Sequence, residues 1–142
     1  METMLQEITD RFTARLDAYT DLADLLDDNL LGQRIDVPKH KSLAEHLWCI
    51  VGARESYSKA IDEGEWSGFS CSLQALTTKD IQSKLIESAS RATEVILAVE
   101  DWTPERTKLL ATLVEHETMH EGQIIRHMYA IGRTLPESWV WA

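Results

Sequence analysis

The sequence predicts an all-α protein, a four-helix bundle with a long crossover between its second and third helices. Three observations predict it: four segments whose apolar residues recur at steps of three and four, glycine and proline punctuation between them, and fourteen residues, 64–77, without helical period. With 142 residues, 44% of them hydrophobic, the chain reads as one domain, residues 1–142, able to bury a core without disulfides or a structural metal.

The first stripe, Leu5, Ile8, Phe12, Leu16, Tyr19, Ala23, Leu26 and Leu30, predicts one helix from about Thr3 to Leu30. Gly32 and Pro38 punctuate its end, because glycine suits the left-handed position after a helix and proline cannot continue one. Ser42-Leu43-Ala44-Glu45 reads as a capping box opening a second helix that ends near Gly64. Its inner arc carries Leu43, His46, Ile50, Ala53, Tyr57 and Ile61. The connection that follows contains Gly64, Gly68 and several serines. Extended, it spans ~45 Å, enough to cross the bundle and let the third helix run parallel to the second. That third helix starts near Thr78, with Ile81, Leu85, Ala89, Ala92, Ile96 and Val99 as its stripe. The fourth opens on Thr103-Pro104-Glu105, a threonine cap, a proline at the first helical position and an acid in the positive first turn, and ends at Gly132. The tail from Leu135 to Trp141 is too apolar for water and is expected to cover the bundle end or a partner chain.

Charge narrows the partners. With 24 acidic against 14 basic side chains, the formal charge of −10 repels phosphate backbones and anionic lipid, so neither nucleic acid nor membrane is expected. The N-terminal METMLQEITDRF lacks the apolar run of a signal peptide, and no segment approaches the ~20 apolar residues of a membrane span. A cytoplasmic location is the expectation. Cys49 and Cys71 form no Cys-x-x-Cys pair, and Cys49 reads as helix packing.

The histidines carry the chemistry. On the fourth helix His116 and His120 fall within ~40° of each other, on the arc of Leu109, Leu113, Ile124 and Ile131. Imidazoles at i and i+4 can chelate one metal ion. His127 shares the arc but lies a rise of ~10 Å beyond His120, too far to join that ion. A third protein ligand must come from another helix. His46, one turn into the second helix, is placed for it if those helices run antiparallel; otherwise it reads as a core histidine with its hydrogen bonds satisfied. His40 is a weaker candidate ligand, because it precedes the capping box and is expected at the surface. Arg54 lies on the inner side of the second helix, where an unpaired charge is costly, so it either pairs with an acid across the bundle or binds an anionic ligand or cofactor. His116-Glu117-Thr118-Met119-His120 also matches H-E-x-x-H, in which Glu117 would be the general base of a zinc protease. Gln123 and Arg126 stand where a metzincin needs glycine and histidine, and no sheet is expected to align a peptide, which points away from that reading.

Taken together, SLAEHLWCIVGARESY, EHETMHEGQIIRHMYAIGRTLPESW and the Gly-x-x-Leu-Pro-x-x-Trp ending at Gly132 to Trp139 resemble the DinB/YfiT-like family of small metal-binding bundles. The resemblance covers essentially the whole chain. It implies a divalent metal held by His46, His116 and His120, with zinc, nickel and iron all compatible with three imidazoles. It also implies parallel second and third helices and a homodimer. The family includes thiol-dependent S-transferases and isomerases that use bacillithiol, mycothiol or glutathione. The expected function is therefore a metal-dependent enzyme transferring a low-molecular-weight thiol to a small electrophile, with Glu117 moving a proton or orienting a ligand. The alternatives are a hydrolase using a metal-bound water and a non-catalytic bundle that binds a small molecule. Trp139 and Trp141 are candidates for a pocket wall near the site.

Overall fold

The computed structural model describes residues 3–142; Met1 and Glu2, which open the N-terminal stretch read above, lie outside them. It is all-helical, with no strand among the described residues: α1 (Thr3–Asp24), α2 (Asp28–Gly32), α3 (Leu43–Glu63), α4 (Thr78–Ala98) and α5 (Pro104–Ala130). No helix is long and apolar enough to cross a membrane.

The expected first helix is two helices. Its stripe does continue, since Leu26, Leu30 and Leu31 are all buried. The backbone stops after Asp24 because the Asp27 carboxylate accepts a hydrogen bond from the Leu30 amide at 2.7 Å, capping a new helix and replacing a bond the old one would have used. Apolar periodicity reports burial and does not register such a break. The other starts follow their caps. Ser42 Oγ accepts from the Glu45 amide, Thr77 Oγ1 from Asp80 and Thr103 Oγ1 from Arg106. The box at Ser42 is half of the expected one, because the Glu45 carboxylate pairs with Arg34.

The core has two halves, and they reveal which helix ends lie together. One half joins Tyr19 and Leu22 of α1, Leu43, Leu47 and Ile50 of α3, Ile81 and Leu85 of α4, Ile124 and Met128 of α5, and Trp139 of the tail. The other joins Phe12 and Leu16, Ala60 and Ile61, Ala92 and Ile96, and Leu109 and Leu113. The starts of α3 and α4 thus share one half with the ends of α1 and α5. α3 packs on both α4 and α5, and α1 packs on α4. The tail closes the α1 side: Trp139 meets the Tyr19 ring edge-on at 5.0 Å and its Nε1 donates to the Ala18 carbonyl at 3.0 Å.

Residues 64–77 return along the outside of α3. Ser56 Oγ both donates to the Ser70 carbonyl and accepts from its amide, each at 2.9 Å, and farther on Trp48 Nε1 donates to the Leu73 carbonyl at 3.0 Å. Gly52 makes room for this strap. A Cβ there would stand 2.4 Å from Phe69 Cζ and 3.1 Å from Cys71 Cβ. In an open helix Gly→Ala gains ~1 kcal/mol, whereas overpacking costs ~1–3 kcal/mol. Gly52→Ala is therefore expected to destabilise the protein in urea melts, by about 1 kcal/mol net of the helix gain. A stabilised variant would show that the strap does not bear on α3.

Candidate metal centre

α3 and α5 bring the three expected histidines together. His46 is fully buried one turn into α3, while His116 and His120 project from the middle of α5, His116 half-buried and His120 buried. His46 Nδ1 and His120 Nδ1 face each other at 3.0 Å, and the His116 and His120 rings lie 4.5 Å apart. Burial, reinforced by the neighbouring His40, holds His46 down to about 4. Burial and then His116 hold His120 at about 3, and burial also lowers His116. All three rings are thus neutral near pH 7, the form that ligates a metal.

The donor chemistry fits a divalent ion. Nitrogens sharing a tetrahedral ion at ~2.0–2.1 Å stand roughly 3.3 Å apart, close to the His46–His120 separation. His46 Nε2 and His116 Nδ1 are buried without a hydrogen-bond partner. The rings are not a closed cage, however: among the described residues no three His, Cys, Asp or Glu donors converge on one point. A shared ion requires His116 to turn.

Comparison with protein-family models, with curated proteins and with solved structures gives no match.

Arg54 and Glu117 lie deeper in the bundle and engage each other. Arg54 is fully buried; its Nε donates to both Glu117 oxygens at 3.1 and 3.2 Å and its Nη2 donates to Glu117 Oε1. Nη1 donates to the Leu85 carbonyl at 3.2 Å and to Ser88 Oγ at 3.4 Å, and the guanidinium lies over the Tyr19 ring at 4.4 Å. Of the two roles open to Arg54 in the sequence, it takes the pairing across the bundle. The Glu117 oxygens are likewise both taken as acceptors.

Three further groups stand around the site, of which only Glu121 had gone unconsidered in the sequence. His40, expected at the surface, is half-buried and turns inward to meet His127 and His46. His127 is fully buried and pairs with His40, away from the His116–His120 pair that its rise along α5 had excluded it from joining. Glu121, buried next to His120, accepts from Arg15 at 2.8 Å and keeps its other oxygen unpaired. Burial and then the Glu117 charge raise its carboxyl to about 7. Its position four residues after Glu117 put it on the inner arc, a signal that was legible.

Access to the site differs from expectation as well. Trp139 is core, and Trp141 lies under Arg15 at 4.5 Å, so the tail packs on α1 within the same chain. The Gln33–Lys41 connection does border the histidines, through His40. Beside it opens a cleft of 360 Å³ lined by Lys41, Glu45, Trp48, Cys49, Gln74 and Leu76. Lys41 belongs to both surroundings, lying 3.3 Å from Cys49 Sγ and near enough to depress the three ring pKa values.

Proposed function

We propose that the chain is a divalent-metal-dependent four-helix bundle of the DinB-like type that transfers a low-molecular-weight thiol to a small electrophile. The observation that carries this reading is the meeting of His46 and His120 nitrogens at 3.0 Å in an apolar interior, with His116 beside them. The bundle topology of the proposal draws support from the core: α3 and α4 share both halves with their like ends together, as a crossover through residues 64–77 requires.

His46, His116 and His120 would hold the ion. Bound there, it would supply Lewis acidity, which lowers the pKa of a thiol or water at an open position. The chain's own residues do the rest. The Arg54–Glu117 pair fixes the inner floor and keeps water from it. Lys41 offers an ammonium group to the carboxylates of a thiol cosubstrate, while Glu45, the acid of the same cleft, is engaged by Arg34. The apolar edges of Trp48 and Leu76 suit a small electrophile.

The test has two readouts. Tag-free protein analysed for metals is expected to carry an ion that His46→Ala and His120→Ala each remove, while far-UV circular dichroism stays helical. A panel of bacillithiol, mycothiol and glutathione with monochlorobimane should then show metal-dependent transfer. Metal content undiminished in both variants, relative to the wild type, would overturn the ligand assignment. Metal-dependent ester hydrolysis without thiol transfer would favour a hydrolase on the same ligands.

A further inference from the structure

We propose that His40 and His127 form a second binding site for a divalent transition metal, separate from the His46–His116–His120 set. All five histidines of the chain lie in one run of neighbouring rings, His127, His40, His46, His120 and His116, at centroid separations of 5.0, 5.9, 5.2 and 4.5 Å. His40 Nε2 and His127 Nδ1 meet at 2.7 Å with ring planes within 10°. Two buried-side imidazoles this close chelate one ion after a small tilt of either ring.

The backbone is shaped to place His40 there. Lys39, just before it, has φ of 64°, a left-handed conformation that is strained for a residue other than glycine. The His40 amide donates to the Val37 carbonyl at 3.1 Å, and Arg34 Nη1 donates to the His40 carbonyl at 3.2 Å. A strained turn held from both sides to direct one side chain inward is the kind of outlier that marks a binding role. On the other side, His127 is fully buried, so its Nδ1 is held against His40 Nε2 away from bulk water.

The donor set selects the ligand. Two imidazoles suit borderline ions such as copper, nickel and zinc, whereas magnesium and calcium require oxygen donors. Because no third His, Cys, Asp or Glu converges there among the described residues, water completes the coordination, entering on the half-buried His40 side.

Titration of chelator-treated, tag-free protein with Ni²⁺ at neutral pH, followed by calorimetry, tests the proposal. The wild type is expected to bind two ions, and His40→Ala and His127→Gln one each, the remaining ion being the one held by His46, His116 and His120. His116→Ala should instead keep the His40–His127 ion. If the three-histidine reading alone fails, the wild type binds a single ion that His40→Ala abolishes and His116→Ala retains. Two ions surviving His40→Ala, or a single ion unaffected by it, would overturn the proposal. His40 lies outside the helices, so that variant remains decisive even if His127→Gln does not fold.

Discussion

Replacing either Arg54 or Glu117 alone is expected to destabilise the protein by roughly 3–5 kcal/mol, because each leaves the other charge buried without its partner. Arg54 is 0% exposed and Glu117 1%, so neither charge can recover water without opening the bundle. Arg54→Met with Glu117→Leu removes both charges and keeps similar volume, and should regain most of the loss, since an apolar pair is often as stable as a buried ion pair. Urea melts of the two single variants and the double variant give the coupling directly. Arg54 also meets Leu85, Ser88 and the Tyr19 ring, so Arg54→Met is expected to cost more than Glu117→Leu. Single variants within about 1 kcal/mol of the parent would show that the pair is not structural and would return Glu117 to candidacy as a proton carrier.

The metal-free protein is expected to lose stability as pH falls from 6.5 to 4.5. His46 and His120 have folded values of about 4 and 3 against 6.5 when unfolded, so the excess of protons on these rings in the unfolded chain grows from about one at pH 6.5 towards two as pH falls through this window. Each proton of difference tilts stability by ~1.4 kcal/mol per pH unit, upward with pH. Glu121 opposes them. Raised to about 7 from 4.5, it is protonated when folded and ionised when unfolded over the same range. The difference leaves a net slope of ~1 kcal/mol per unit, or roughly 2 kcal/mol across the window, and the lowered His116 and His127 add to it in the same direction. Below 4.5 the opposition of Glu121 ends and the loss steepens until His46 protonates near 4. Urea midpoints at intervals of pH measure this. Glu121→Gln should steepen the dependence above 4.5, and a midpoint independent of pH there would contradict the burial of neutral imidazoles.

Much of the architecture was legible in the residues. Ser42, Thr77 and Thr103 each cap a helix through a side-chain oxygen, a local interaction that needs no tertiary partner. The stripes from Leu43 to Ile61 and from Ile81 to Ile96 face inward because burial follows the helical period. The same arithmetic put His46, His116 and His120 inside, since an arc assigns direction whatever residue occupies it.

Facing partners are a different matter. The break at Asp27 turned on one carboxylate choosing a backbone amide over water, a competition that apolar spacing does not record. His40 became part of the cluster only because Lys39 adopts a left-handed turn and His127 stands opposite it, 87 residues away in the chain. Arg54 could have met any acid on the inner arcs; the packing of α3 on α5 gave it Glu117 and left Glu121 to Arg15. Helical periodicity fixes which side of one helix is inward, but the height and rotation at which two helices meet come from side chains interlocking across the interface. The sequence by itself therefore determined which face of each helix turns to the core, and only the tertiary structure decided which residues on those faces touch.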